Sequence, residues 1–356
     1  MQDIHVIYGS VSTEHEISLR SAQQIINNLD KDKYRVSMTY VTKDGRFVVS
    51  GFFKEEIKKA EDLIRESLLN QKESIMQFID FVNGLDDPIA IPCIHGSSGE
   101  DGQIQGFLRT LGLRFVGNDI GSSAICWDKA TTNKMLESYQ IPQAKFLVID
   151  RKRYERDEDK QSIISNIFDM CGESVFVKPS ANGSSVGVNK ADRTNIIQAL
   201  EEAFLYDNKV VCEEAISGEE LEVSVIGNAN PKASLPGSYS TTREIFDYTA
   251  KYHDSQTIRN TPHKLNDTLN KKVRQLAIDA YLATGCQGFA RVDIFMDEDD
   301  NFYVNEINTF PGMTQSSLSA DLWKATDGTT YSEILDELIQ LAIEKFDQEK
   351  TLKRGL

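Results

Sequence analysis

Short apolar runs and helical repeats alternate along the first third of this 356-residue chain. The apolar runs have the length and the β-branched composition of buried strands, and they cover residues 4–8, 36–41 and 89–94. Stretches with the spacing of an amphipathic helix follow the run at 4–8 and the run at 89–94. Because strands that alternate with helices build parallel sheets, residues 1–120 are predicted to form a parallel α/β layer.

The first helical stretch carries its apolar residues on one face, at spacing i, i+3, i+4 and i+7. They are Ala22, Ile25, Ile26 and Leu29. Upstream, Thr13 and Glu16 have the spacing of a capping box, which predicts that the helix begins near Thr13. A further helix is expected from about Gly102.

Two more domains are predicted downstream, a central one over residues 121–210 and a C-terminal one over 211–356. Their expected elements are a helix over 130–139, strands near 145–149, 174–178, 210–213 and 221–226, and an amphipathic helix over 331–346. Residues 236–262 lack a clear period, which indicates a lid or binding loop, with surface disorder as the alternative. Four aromatic residues favour the loop, because disordered linkers are poor in them; they are Tyr239, Phe246, Tyr248 and Tyr252.

A β-hairpin is predicted near the C-terminus. Residues 291–295 and 303–308 both alternate between apolar and polar side chains, as strands do, and turn-forming residues lie between them at 297–301. The turn is expected to be centred between Asp299 and Asp300.

That turn would place Asp293 opposite Glu306 and Arg291 opposite Asn308, with all four side chains on one face of the hairpin. Opposed carboxylates repel one another unless a cation lies between them. Carboxylate and amide oxygens, without histidine or cysteine, suit a hard ion such as Mg²⁺. The alternative is an ordinary solvated edge of a hairpin.

Composition narrows the classes of function. No apolar run approaches the roughly 20 residues that span a bilayer, and the first residues open directly into a strand pattern, so the protein is expected to be cytoplasmic and to have no membrane partner. The formal net charge of −16 argues against nucleic-acid binding. Five scattered cysteines without a C-x-x-C pair argue against a disulfide framework and a zinc site.

A loop of small residues is predicted to bind phosphate. It follows the strand that ends at Lys178 and contains Gly183, Ser184, Ser185 and Gly187, which can present backbone N–H groups and hydroxyls to an anion. No Gly-Lys pair and no Gly-x-Gly occurs, which excludes the Walker A loop and the Rossmann and kinase glycine fingerprints. A nucleotide would therefore be bound in another way.

Taken together, these segments resemble the ATP-grasp superfamily and, within it, the D-alanine:D-alanine ligase family, over essentially the whole chain. Five ordered motifs carry the resemblance: residues 12–19, 95–106, 177–187, 247–252 and 305–312. The implied fold is α/β, with α+β character in the ATP-binding part. The parallel N-terminal layer would be followed by two domains that hold ATP between antiparallel sheets.

The resemblance also implies a site. Residues expected to bind ATP are Lys129, Lys178, Ser185, Glu213, Glu214 and Glu220. Residues expected to bind two Mg²⁺ or Mn²⁺ ions are Asp293, Glu306 and Asn308. Residues expected to act in catalysis are Glu14, Ser184, Tyr252, Arg291 and Gly312, and residues expected to contact substrate are His95, Lys251, Ser317 and Leu318.

The implied reaction joins two D-alanine molecules through a D-alanyl phosphate and serves peptidoglycan precursor synthesis, and the implied assembly is a homodimer. Tyr252 favours an amine nucleophile, because relatives that form an ester carry histidine or phenylalanine there. D-serine as the second substrate is the alternative within the family, and D-lactate is a weaker one. A phosphotransferase and a non-catalytic nucleotide-binding protein are the alternatives outside it.

Overall fold

A computed structural model of the chain describes residues 1–240, 258–315 and 317–353. Its strands are β1 (Gln2–Gly9), β2 (Tyr34–Val41), β3 (Phe47–Phe53), β4 (Ile89–Cys93), β5 (Arg114–Phe115), β6 (Phe146–Asp150), β7 (Val175–Pro179), β8 (Asn189–Ala191), β9 (Lys209–Glu214), β10 (Gly218–Gly227), β11 (Lys232–Ala233), β12 (Gly237–Ser240), β13 (Ile258–Asn260), β14 (Gly288–Asp297) and β15 (Phe302–Asn308). Its α-helices are α1 (His15–Asn28), α2 (Gln71–Asn83), α3 (Gln103–Thr110), α4 (Ile120–Trp127), α5 (Lys129–Ser138), α6 (Arg151–Tyr154), α7 (Asp157–Cys171), α8 (Ile196–Ala203), α9 (Asp267–Ala283), α10 (Leu318–Asp327) and α11 (Tyr331–Lys350).

The N-terminal sheet confirms the predicted parallel layer. Its strand order is β3-β2-β1-β4-β5, and every neighbouring pair is parallel except β2 and β3. The predicted capping box is wrong, because α1 begins at His15 and no side chain caps it. The hydroxyl of Ser12 instead accepts a hydrogen bond from the N–H of Glu14, at 3.0 Å. The Glu14 side chain makes no capping hydrogen bond, so it is available to the site described below.

The central sheet has the order β6-β9-β7-β8 and is antiparallel throughout. Strand β9 corrects one predicted placement. The strand predicted over residues 210–213 was expected to open the C-terminal domain, but it pairs on both sides with strands of the central sheet. The change of sheet therefore falls after Glu214. The exact bounds of the three domains stay a prediction.

The C-terminal sheet has the order β13-β12-β10-β14-β15, with β11 paired to β10, and it is also antiparallel. Strands β14 and β15 form the predicted hairpin. The predicted loop over residues 236–262 begins and ends in paired strands, β12 and β13. Its middle part, which includes Phe246 and Tyr248, lies outside the described residues.

Two contacts between domains were not visible in the sequence pattern. Helix α11 returns from the C-terminus to the N-terminal layer, where Leu335 and Ile339 share one buried core with residues of β1 and α1. Leu136 of α5 packs in the core of the C-terminal sheet. The N-terminal and C-terminal parts therefore share a hydrophobic core.

No helix in the described part of the chain is long and apolar enough to cross a membrane.

Asn118 joins the N-terminal layer to the C-terminal sheet. Its side chain is 2% exposed. The amide nitrogen donates to the carbonyl oxygens of Phe289, at 2.7 Å, and Thr309, at 2.8 Å, while the amide oxygen accepts from the N–H of Gln287, at 2.9 Å. One buried amide thus satisfies three backbone groups of another domain.

We expect Asn118→Ala to lower the free energy of unfolding by about 3 kcal/mol or more, because each buried backbone group left without a partner costs about 1–3 kcal/mol. Urea unfolding followed by circular dichroism would measure the loss. The control is Asn208→Ala, at an exposed position, which should change the value by less than about 0.5 kcal/mol. Equal losses in the two variants would contradict the proposed junction.

Candidate active site

One cavity of about 560 Å³ receives residues from all three domains. Most of the predicted site residues line it: Glu14, His95, Lys129, Lys178, Ser184, Ser185, Glu220, Arg291, Asp293, Glu306, Asn308 and Gly312. Four predicted residues are not among the lining residues: Glu213, Glu214, Ser317 and Leu318. Lys251 and Tyr252 lie outside the described part of the chain.

The predicted pairing across the hairpin is confirmed at the four residues predicted to share one face. Asp293 lies opposite Glu306 and Arg291 lies opposite Asn308. Nearer the turn the register shifts by one residue through a β-bulge. Asn305 is the extra residue of that bulge, and it reaches the cavity together with the adjacent Glu306. A bulge re-aims a side chain in this way because it breaks the alternation of faces.

A third carboxylate continues the row across the neighbouring strand β10. Glu222 lies opposite Asp293 in the β10–β14 register, so Glu222, Asp293 and Glu306 form one line across three strands. Glu222 and Asp293 are 5% and 4% exposed. Burial raises the pKa of Asp293 to about 7, although the neighbouring Arg291 acts to lower it.

Side-chain cations compensate this row. Arg291 donates from Nε and Nη2 to the two oxygens of Asp293, each at 2.6 Å. Lys129 Nζ, from the central domain, lies 3.4 Å from Glu306 Oε2. Nearby cations favour the charged form of these acids, and a further cation bound at the row would favour it more.

The predicted metal ligands fit a hard divalent ion. Asp293 and Glu306 supply carboxylate oxygens on facing positions, and the Asn308 amide nitrogen donates to Asp293 at 3.0 Å, which leaves its oxygen for a metal. Within the described residues no cluster of three or more histidine, cysteine or acidic side chains is placed to hold a metal. A site here would therefore need the amide oxygen of Asn308 as its third ligand.

The small-residue loop after β7 has the backbone of an anion-binding loop. Ser184, Ser185 and Gly187 all have positive φ, at 55°, 56° and 76°. Successive residues in this conformation turn their N–H groups toward one side. Lys129 Nζ donates to the carbonyl oxygen of Asn182, at 3.0 Å, which holds a lysine beside the loop.

Lys178 and Glu213 form a buried ion pair. Lys178 Nζ is 2.6 Å from Glu213 Oε2, and Asn133 donates to the other oxygen of Glu213 at 2.8 Å. Burial acts to lower the pKa of Lys178, but the carboxylates of Glu213, Glu306 and Glu220 together raise it. Lys178 also donates to Asn305, at 3.2 Å, and Asn305 donates to Glu220, at 2.7 Å. The predicted contact of Glu213 with adenine or ribose stays a prediction, because here Glu213 serves Lys178.

Glu14 connects the N-terminal domain to the phosphate loop. Ser184 Oγ donates to Glu14 Oε1 at 2.5 Å. Gly96 lies against the same carboxylate, and a Cβ there would come within 2.8 Å of Glu14 Oε2. Its φ of +70° is a left-handed conformation that favours glycine. Burial raises the pKa of Glu100, and the nearby Glu14 carboxylate adds to the rise. Two neighbouring carboxylates at one wall of the cavity suit an ammonium group.

His95 is buried between the N-terminal and C-terminal domains. Its Nδ1 lies 3.1 Å from the carbonyl oxygen of Phe310 and 3.6 Å from Glu100, and its Nε2 lies 2.8 Å from the hydroxyl of Ser21. A carbonyl oxygen only accepts, so Nδ1 carries the proton. These contacts fix the orientation of the His95 ring between the two domains. A contact of His95 with substrate stays a prediction.

Ser317 and Leu318 lie at the start of α10. Ser317 accepts a hydrogen bond from the N–H of Thr314 at 3.1 Å, and Leu318 is 1% exposed in the core. The N–H groups of the first turn could bind a carboxylate there, as helix N-termini do, and the Ser317 hydroxyl could also donate to it. That role remains a prediction.

Several lining residues were missed by the sequence reasoning as site residues. The apolar part of the wall is formed by Phe176, Ile216, Phe295 and Ile307, which suit the face of a nucleotide base. Their signal was available, because Phe176 and Phe295 lie two residues from Lys178 and Asp293 on predicted strands and therefore share a face with these site residues. Asn305 could not have been found, since it reaches the cavity through the bulge.

Comparisons with known proteins agree on one family. A model described as the N-terminus of D-Ala–D-Ala ligase matches residues 3–118, and one described as its C-terminus matches residues 135–340. A curated D-alanine–D-alanine ligase from Finegoldia magna is 42% identical, over 99% of each chain.

Solved structures agree with the sequence comparisons. The D-alanine-D-alanine ligase from Coxiella burnetii has a TM-score of 0.79 and 32% identity, over 98% of this chain and 97% of that chain. A D-Ala:D-Ser ligase from Enterococcus faecalis has a TM-score of 0.78 and 28% identity, over 96% and 99%. The expected fold class is thereby confirmed.

We expect Glu213→Gln to lower the free energy of unfolding by about 3 kcal/mol, because it leaves the Lys178 ammonium buried without a charged partner. Thermal and urea unfolding would measure the change. If Glu213 served only a nucleotide, the variant would keep its stability.

The matched control is Glu173→Gln, which breaks an exposed ion pair with Arg193. Exposed pairs contribute little, so this variant should unfold almost like the parent. Equal stability of the two variants would contradict the structural role of the buried pair.

Proposed function

Because this chain belongs to the D-alanine–D-alanine ligase family, we propose that it joins two D-alanine molecules into D-alanyl-D-alanine and converts ATP to ADP and phosphate. The observation that carries the proposal is the cavity in which the row of carboxylates, the phosphate loop and the Glu14 carboxylate meet. We further infer that the enzyme is cytoplasmic, that it serves peptidoglycan precursor synthesis and that it forms a homodimer. Light scattering would test the dimer by measuring its mass in solution.

ATP is proposed to lie between the central and C-terminal sheets. The apolar wall would hold the base, with Glu220 and the acids that end β9 on the ribose side. Lys129, Lys178 and the N–H groups around Ser185 would contact the phosphates. Asp293, Glu306 and Asn308 would hold Mg²⁺, which neutralises phosphate oxygens when it is bound.

The chain's residues would carry the reaction as follows. Glu14 would accept hydrogen bonds from the ammonium of the first D-alanine and so present its carboxylate to the γ-phosphate. Phosphorylation by ATP, which releases ADP, turns that carboxylate into an acyl phosphate. The amine of the second D-alanine then attacks its carbonyl carbon, and phosphate leaves as the peptide bond forms. Arg291 and the N–H of Gly312 would donate to the oxyanion that develops.

Closure would protect the acyl phosphate. The bond between Ser184 and Glu14 already connects the phosphate loop to the N-terminal domain. We propose that Tyr252 completes this set, that Lys251 contacts substrate, and that His95 and the start of α10 hold the two substrates. Excluding water would prevent hydrolysis of the intermediate.

The proposal is tested by incubating the purified protein with ATP, Mg²⁺ and D-alanine. We expect inorganic phosphate and dipeptide to appear in equal amounts. A phosphotransferase would leave the phosphate on its acceptor, and a non-catalytic protein would release none. Adding D-serine and D-lactate as competitors would identify the second substrate. A product that contains D-alanine joined to either competitor would show broad specificity at the second position.

We expect Glu306→Gln to lower turnover about 100-fold or more while the fold is kept, because even partners of metal ligands cost about 10–100-fold when they are lost. Phosphate release and circular dichroism would be measured together. The control is Glu298→Gln in the exposed turn of the same hairpin. Full activity of the Glu306 variant would refute the metal assignment.

A further inference from the structure

Glu222 is the one carboxylate of the buried row to which the proposed reaction assigns nothing. It lies on β10, opposite Asp293. Its Oε1 is 3.5 Å from Arg291 Nε, whereas Asp293 is 2.6 Å from the same nitrogen. Arg291 therefore lies between two buried acids and is bonded to one of them.

The present partner of Arg291 conflicts with the two roles proposed above. Both oxygens of Asp293 accept from Arg291. A divalent cation on Asp293 would lie next to the guanidinium and repel it, strongly so in a buried site. For Asp293 to hold a metal, Arg291 has to move toward another negative group.

Glu222 is placed to receive it. In the sheet, Glu306 lies on one side of Asp293 and Glu222 on the other. A metal held between Asp293 and Glu306 would push the guanidinium toward Glu222, which is within about 1 Å of hydrogen-bonding distance. The move requires no change of the strands.

We propose that Glu222 is a positioning residue for Arg291. It accepts the guanidinium when Asp293 takes up the metal, and it keeps the remaining N–H groups of Arg291 directed at the reacting phosphate and carbonyl oxygens. This inference rests on the proposed function, because it assigns the partner that Arg291 has during the reaction.

The test measures metal binding directly. Mn²⁺ would be titrated in the presence of saturating ADP and the free ion followed by electron paramagnetic resonance. We expect Glu222→Gln to weaken Mn²⁺ binding about tenfold, because the neutral amide attracts the guanidinium less than the carboxylate does and leaves Arg291 on Asp293. Glu298→Gln, in the exposed turn, should bind Mn²⁺ like the parent.

A simpler explanation of such a loss is that one negative charge has been removed near the metal. The Arg291→Met background separates the two explanations. If charge alone acts, Glu222→Gln weakens binding at least as much without Arg291 as with it. If Glu222 acts through Arg291, its replacement matters less in the Met background, and the double-mutant cycle shows this directly.

Glu222→Asp provides a second variant that keeps the charge. Its carboxylate is withdrawn by about 1.5 Å, one carbon–carbon bond. We expect weaker Mn²⁺ binding with Arg291 present and no change in the Met background. A Glu222→Asp protein that binds like the parent, or an equal loss in both backgrounds, overturns the proposal. Phosphate release by the unmodified protein decides the proposed function separately.

Discussion

The structure depends on one electrostatic constraint: three carboxylates lie side by side across β10, β14 and β15, and two of them, Glu222 and Asp293, are largely removed from water. Such a row is unfavourable by itself, because each charge loses hydration and repels its neighbours. The chain offsets that cost with Arg291 from within the row and Lys129 from another domain. Both cations are also the groups that a phosphate or an oxyanion would attract, so the compensation can be redistributed when ligands bind.

The same constraint explains how the domains are joined at the site. Contacts across the cavity are charged or charge-assisted: Lys129 with Glu306, Lys178 with Asn305, and Ser184 with Glu14. Contacts away from it include the shared apolar core under α11, the buried amide of Asn118 and ion pairs such as Arg109 with Glu349. These junctions lie apart from the groups that a nucleotide would contact.

Regular patterns along the chain predicted most of the fold. The hairpin register followed from the position of its turn and the two-residue period, and it is confirmed at Asp293 and Arg291. The predictions failed where a local signal competed with a distant partner. Thr13 and Glu16 have the spacing of a capping box, yet it is the Ser12 hydroxyl that accepts a backbone hydrogen bond, from Glu14, in the loop before α1. Strand β9 has an apolar pattern similar to that of β10, which follows it in the chain, but it pairs in a different sheet.

By itself, the sequence determined the elements, the family and the kinds of group at the site, because period, turn chemistry and ordered motifs act over short stretches of chain. Only the tertiary structure decided which charges compensate which. Glu213 became the partner of Lys178, Asn305 reached the cavity through a bulge, and Glu222 joined the row. Such pairings depend on strand order, bulges and burial, and these are settled by contacts between residues far apart in the chain.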